Sequence, residues 1–246
     1  MIEQTAPKNR SGARPAAAAL FLTPERVWRL PPRRAVAAAG LCWAGFALVC
    51  LGVLTGHAGA LDEAGLVFWR DGPLLLPRGP IWLLEAVRDV TALGGVVLRY
   101  AIAGAVAAVL YALALRRETV VLVATVISGW GVEAALKLLV GRSRPTIVPH
   151  LTEAGGASFP SGHSFNAALV YLALAITLAG LCHRRTSRAA LIIGAMLLSL
   201  AIAFSRVWLG VHFPSDALAG WLGGTAWAFT ATTLLDRPAQ SLSAQA

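Results

Sequence analysis

The chain has 246 residues, of which 57% are hydrophobic and only 13% charged, and its mean hydropathy is +0.67. Soluble domains average about 25% charged residues, and several apolar runs here reach the roughly 20 residues that cross a bilayer, which excludes a soluble domain. The formal net charge of +9 does not point to nucleic acid, because the basic residues sit beside the ends of apolar runs and no nucleic-acid-binding module is present.

Residues 1–34 are rich in Ala, Pro and Arg and read as a largely disordered basic tail. Within it, Thr23 and Pro24 are placed to cap and open a short helix. The apolar stretch at 16–22 is too brief for a signal-peptide core. The run at 35–54 is the first predicted span and an uncleaved anchor.

Residues 55–95 contain no run long enough to span. The segment 80–91 sets Glu85, Arg88 and Asp89 opposite Leu83, Leu84, Val87 and Val90, an amphipathic helix by its spacing. Two placements fit it: in the interface with Trp69 and Trp82 at headgroup depth, or packed on the bundle. Further apolar runs at about 96–115, 119–140, 165–182, 189–204 and 217–235 make six spans, followed by a tail at 236–246. Cys42, Cys50 and Cys182 lie in apolar runs without ligand-like spacing and read as small core residues. The expected architecture is an all-α integral membrane six-helix bundle over 35–235, with short amphipathic helices in the first outer loop.

Loop charges set the orientation. With the N-terminus inside, thirteen basic residues fall on the inner side. The outer side holds Arg70, Arg78, Arg88, Arg99 and Arg142, together with Lys137, Arg144 and Arg206. An excess of basic residues marks the cytoplasmic side, so both termini are expected there.

The polar residues of the apolar background gather in two stretches. The first carries Lys137, then Arg144-Pro145, then Pro160-Ser161-Gly162-His163. The second carries Ser205-Arg206, His212 and Asp216. Between His163 and Ser205 lie 41 residues, enough for two membrane passes, so the chain returns to the face it left. Charged groups at membrane depth cost roughly 2.5–3.5 kcal/mol each on insertion scales and usually face a partner or a watery cavity. Lys137, Arg144 and Arg206 have too few nearby carboxylates, although Glu133 stands one turn before Lys137. A bound anion is the simplest missing partner. Three cations, two imidazoles and one carboxylate are the equipment for holding and attacking a phosphate.

The pattern K-x6-RP, PSGH, SR-x5-H-x3-D resembles the three signature motifs of the type 2 phosphatidic acid phosphatase family, with every position matched. The resemblance implies a six-helix membrane phosphatase acting on lipid phosphates or pyrophosphates without metal or cofactor. By motif position, it implies that Lys137, Arg144, Ser161, Gly162 and Arg206 hold the phosphoryl group. It likewise implies His212 as nucleophile, Asp216 as the carboxylate that orients it, and His163 as the acid for the leaving oxygen.

The residue chemistry is consistent with those roles. Arginine offers planar two-point contacts to phosphate oxygens, and a helix N-terminus at Ser161-Gly162 favours an anion. Asp216, four residues after His212, is spaced to accept a hydrogen bond from its second nitrogen. One neutral and one charged histidine predict a bell-shaped pH profile. No carboxylate cluster suited to magnesium accompanies these positions.

The expected reaction is attack by His212, a phosphohistidine, then hydrolysis by water, at the outer face of an inner membrane. Undecaprenyl pyrophosphate, phosphatidylglycerol phosphate and phosphatidic acid all fit as substrates, and Trp208 and Phe213 flank the site as candidate contacts. Membrane lipids are the expected partners. Two other readings use the same residues: a lipid phosphotransferase, and a phosphate- or lipid-binding or transport protein. A transporter, however, usually sets its site near the midplane.

Overall fold

The computed structural model describes residues 28–235. The expected helix opening at Thr23 and the tail at 236–246 lie outside the described residues, as does most of the basic N-terminal segment.

Eight helices and one small hairpin make up the described chain. They are α1 (Pro32–Leu54), α2 (Gly59–Val67), strands β1 (Arg70–Asp71) and β2 (Leu76–Pro77), α3 (Ile81–Leu93), α4 (Val96–Ala112), α5 (Arg116–Val140), α6 (Gly162–Leu181), α7 (Arg185–Trp208) and α8 (Pro214–Leu235). Among the described residues, four helices are long and apolar enough to cross a membrane: α1, α5, α6 and α7. A fifth crossing arises if α3 and α4, bent by 47° at their junction, count as one broken span.

The expected count of six therefore rests on α4 and α8, and each falls short for a physical reason. α4 has 17 residues and buries Arg99 in its first turn. α8 is diluted by Gly220, Gly223, Gly224 and four threonines, with Asp216 at its start.

Burial is inverted relative to a soluble bundle. Leu41, Leu48, Leu138 and Leu139 are exposed, which places apolar side chains toward the surroundings, as hydrocarbon permits. The centre is α6, which is buried along most of its length and packs against α8, α7, α5 and α4. Close approach of α6 and α8 depends on glycine: a Cβ on Gly224 would stand 2.0 Å from the Phe165 carbonyl oxygen.

The segment between α1 and α4 is folded onto the bundle. Leu83, Leu84 and Val87 of α3 pack on Trp208, Leu209 and Val211, while Glu85, Arg88 and Asp89 face outward. Of the two placements open to this helix, the packed one describes its Leu83–Val87 face, with Trp82 left exposed. Arg88 donates to the Leu151 carbonyl from Nε and Nη2, at 3.1 and 2.8 Å, fastening α3 to the loop after α5.

Candidate active site

Four helix ends and the loops that join them deliver the polar residues to one place. α5 stops at Gly141, whose φ of +58° allows a left-handed cap with its N–H on the Lys137 carbonyl. Lys137 thus stands in the last turn of a helix, and Arg142 and Arg144 follow on irregular chain. α6 opens at Gly162, α7 ends just after Arg206, and α8 starts at Pro214, two residues before Asp216.

A cavity of about 320 Å³ is lined by Lys137, Arg144, Gly162, His163, Arg206 and His212, together with Glu133, Arg99 and Asn166. Six of the eight residues singled out from the sequence meet there, though Lys137 and His212 are 75 positions apart. The other two, Ser161 and Asp216, are fully buried behind it. The Ser161 hydroxyl accepts from Ser164 Oγ at 2.9 Å, and its N–H is taken by the Asp216 carbonyl at 3.0 Å. Ser161 therefore does not line the cavity. Gly162 presents the backbone there, and a Cβ on it would crowd Glu133 Oε1 at 2.8 Å and Lys137 Nζ at 3.1 Å.

The cations are anchored by groups of the protein itself. Lys137 Nζ pairs with Glu133 Oε1 at 3.1 Å, the i,i+4 partner expected from the sequence. Arg144 donates to the carbonyls of Gly155, Gly156 and Val211 at 2.6, 3.1 and 2.8 Å. Arg206, 2% exposed, donates from Nη1 to Thr91 Oγ1 at 3.0 Å and leaves Nε without a partner. Carbonyls and a hydroxyl hold a guanidinium without neutralising it, so its charge stays available to an anion.

His212 is 1% exposed. Its Nε2 lies 3.0 Å from Arg144 Nη1, which can only donate, so Nε2 is the lone-pair nitrogen. Nδ1 then carries the proton and faces Ser158 Oγ at 3.3 Å. Ser158 in turn donates to Asp216 Oδ2 in a short bond of 2.5 Å. The direct Asp216–His212 hydrogen bond expected from the four-residue spacing is corrected by this geometry: Nδ1 and Oδ2 stand 3.6 Å apart, and Ser158 bridges them.

Asp216 has its own clamp, which the sequence did not reveal. Oδ2 also accepts the Phe213 N–H at 3.0 Å, and Oδ1 accepts from Arg142 Nη1 at 2.7 Å. The other arm of Arg142 reaches Asp62 Oδ2 of α2 at 2.7 Å, and Asp62 also accepts from the N–H and hydroxyl of Ser215 at 2.9 and 2.6 Å.

The aromatic expectation is also corrected. Phe213 stacks under Arg142, 4.2 Å from guanidinium carbon to ring centroid, and Trp208 is buried in the cluster beneath α3; neither lines the cavity. His150 lies outside it too and donates to the Pro145 carbonyl at 2.7 Å.

Burial sets the electrostatics of the loop groups. It pulls His212 down to about 4 from its ordinary 6.5, against the opposing influence of the nearby Asp216 carboxylate and aided by the charges of Arg144 and Arg206. Burial likewise lowers Arg144, which the Asp216 charge partly offsets. The imidazole is therefore neutral throughout the physiological range, with Nε2 unprotonated.

The chain is similar to known proteins over the part that carries these residues. The PAP2 superfamily pattern matches residues 117–238, a stretch that contains every motif residue. Phosphatidylglycerophosphatase B of Bacillus subtilis is 41% identical over 86 residues, covering 35% of this chain and 42% of the relative. The putative undecaprenyl-diphosphatase YbjG of Escherichia coli is 40% identical over 74 residues, covering 30% of this chain and 33% of the relative. The aligned segments thus span less than half the length of these curated relatives.

A crystal structure of the transmembrane PAP2-type phosphatidylglycerolphosphate phosphatase from Bacillus subtilis superimposes with a TM-score of 0.71 at 25% identity, covering 78% of this chain and 93% of that one. Its transmembrane fold and the apolar helices described above make this a multi-pass membrane protein. With the three motifs complete, the superfamily pattern laid over them and that fold shared, the chain belongs to the type 2 phosphatidic acid phosphatase family.

Proposed function

We propose that this protein is a metal-independent membrane phosphatase that hydrolyses lipid phosphates or pyrophosphates through a phosphohistidine on His212. The observation that carries this reading is His212, its unprotonated Nε2 held by Arg144 Nη1, in the wall of a cavity lined also by Lys137, Arg144 and Arg206. Those cations and the Gly162 backbone hold the non-bridging oxygens, a task that phosphoryl transfer needs more than elaborate covalent chemistry. Nε2 forms the N–P bond as the P–O bond to the lipid breaks, and His163 delivers a proton to the departing oxygen. Water, deprotonated by His163, then attacks the phosphohistidine, releasing phosphate and restoring Nε2. Ser158 and Asp216 hold the Nδ1 proton throughout.

The chain crosses the membrane six times in this reading, with both termini in the cytoplasm and the cavity on the outer face of an inner membrane. The charge bias of the loops supports that orientation. The relatives' names support a lipid phosphate as substrate: phosphatidylglycerophosphatase for the Bacillus subtilis protein and undecaprenyl-diphosphatase for the Escherichia coli one.

The test is phosphate release from a panel of lipid mono- and diphosphates by the purified chain in detergent, with and without chelator. Release that survives chelation is expected. Release abolished by chelator and restored by magnesium would overturn the metal-free mechanism. The same assay with a membrane-impermeant phosphate ester should succeed in right-side-out vesicles and fail in inverted ones; the reverse result would move the site to the inner face.

The depressed His212 value has a kinetic consequence. Protonation occupies Nε2 and removes the nucleophile, so kcat/KM must fall as pH drops through that pKa. With the imidazole near 4, the acid limb is expected at about pH 4 once the substrate's own ionisation is corrected for. A limb at the ordinary histidine value of about 6.5 would contradict the buried, neutral imidazole.

A further inference from the structure

The motifs account for three cations at the cavity, yet a fourth lines it. Arg99, in the first turn of α4, is 3% exposed. Its Nη1 donates to the Gly94 carbonyl at 2.5 Å, its Nε has no partner, and its guanidinium carbon lies 4.7 Å from the Tyr100 ring centroid. Among the described residues no carboxylate pairs with it. Of the two acids that line the same cavity, Glu133 is engaged by Lys137, and Glu153 is exposed. A buried, unneutralised guanidinium facing a cavity calls for an anion.

Its location says which part of a substrate it meets. Gly94, which holds Arg99, also packs against the His163 ring: a Cβ on Gly94 would stand 3.2 Å from His163 Cδ2. Arg144, by contrast, lies against His212. In an in-line displacement the attacking and leaving atoms stand on opposite sides of phosphorus. If His212 attacks and His163 protonates the leaving oxygen, Arg99 belongs to the leaving-group side. A simple phosphate ester presents an uncharged alcohol there. A lipid diphosphate attacked at its terminal phosphorus presents the second phosphate.

We infer that Arg99 binds the leaving phosphate of a lipid diphosphate and so makes the site selective for diphosphates over monophosphates of the same lipid. The inference rests on the phosphatase reading above. His212 Nε2 bonds to the terminal phosphorus, and the bridging P–O bond breaks with its electron pair passing to the bridging oxygen. That oxygen takes the proton of His163, and Arg99 neutralises the remaining charge of the departing lipid monophosphate. Hydrolysis of the phosphohistidine then yields inorganic phosphate.

The test compares an isoprenyl diphosphate with the monophosphate of the same chain, using the full-length protein in detergent. Arg99→Gln is expected to lower kcat/KM for the diphosphate about thirtyfold and for the monophosphate no more than about threefold, as loss of a charge-assisted contact predicts. Arg99→Lys keeps the charge but loses the planar fork and should cost the diphosphate about threefold more than the monophosphate. Equal losses on both substrates, in whichever variant folds, would overturn the assignment.

A measurement on the unaltered protein is independent of folding defects. Inorganic pyrophosphate should inhibit at least about tenfold more tightly than inorganic phosphate, and equal inhibition would count against the subsite. If the unaltered chain releases phosphate from neither lipid, the phosphatase reading itself fails. If it cleaves both and Arg99 changes leave their ratio fixed, only the subsite fails.

Discussion

His212→Ala is expected to lower phosphate release by about four orders of magnitude or more, the scale seen when a covalent nucleophile is removed. The reason is chemical rather than steric. Lys137, Arg144 and Arg206 are held by Glu133, backbone carbonyls and Thr91, so the anion-binding wall does not depend on the imidazole. Phosphate should still bind, and what is lost is the N–P bond. Truncation also opens a hole at a buried position, and Phe213 through Asp216 follow directly, so His212→Gln serves as a bulkier companion. Both variants should still protect against thermal unfolding when inorganic phosphate is added. Brief incubation of the unaltered protein with radiolabelled substrate should leave an acid-labile, base-stable label that both variants lack. A label that persists in His212→Ala, or turnover within tenfold of the unaltered protein, would remove His212 from the role of nucleophile.

The motif residues that line the cavity were legible in the sequence because the chemistry dictates both type and spacing. Lys137 and Arg144 straddle a helix end, Gly162 opens a helix, and His212 precedes one. Each of these is a local pattern in chain order. The residues that hold them in place were not legible, since their partners are remote. Asp62 meets Ser215 from 153 positions away, Thr91 meets Arg206 from 115, and Ser158 meets Asp216 from 58. No periodicity encodes such pairings.

Arg99 and Arg142 are a different case. Both were counted only as outer-side charges, yet a cation within or beside an apolar run is costly enough to imply a partner or a ligand. That signal was present in the sequence. The expected crossing at α8 is not marked by its hydropathy, because local composition and tertiary role diverge there. α8 carries glycines because Phe165 and Ser161 backbone lie against it, and those glycines dilute the hydropathy that marks a crossing.

Arg142→Gln is expected to lower kcat about a hundredfold, less than the roughly 10⁴-fold lost when the carboxylate that orients a catalytic histidine is itself replaced. Arg142 bridges two carboxylates, Asp62 and Asp216, that are 1% and 0% exposed. Removing one partner of a buried ionic network typically costs about 3–5 kcal/mol, because an uncompensated charge is left behind. Here the relief open to Asp216 is to take up a proton. A protonated Asp216 no longer fixes Ser158 as donor, and the Nδ1 proton of His212 loses its acceptor arrangement.

Stability and rate can be separated by chemistry. Arg142→Lys restores one charge but not the fork that spans both acids, so it should recover much of the melting temperature and little of the rate. Asp62→Asn leaves the Arg142–Asp216 contact in place and is expected to cost kcat less than about fivefold. The decisive comparison combines Arg142→Gln with Asp216→Asn. If both act through the orientation of one imidazole, the double variant should be scarcely slower than the slower single one, a coupling within the range of about 0.5–3 kcal/mol known for residues in one network. Multiplying effects would mean that Arg142 supports the fold without positioning the histidine. Helix α2, whose Asp62 reaches Asp216 through this guanidinium, would then have no part in the chemistry.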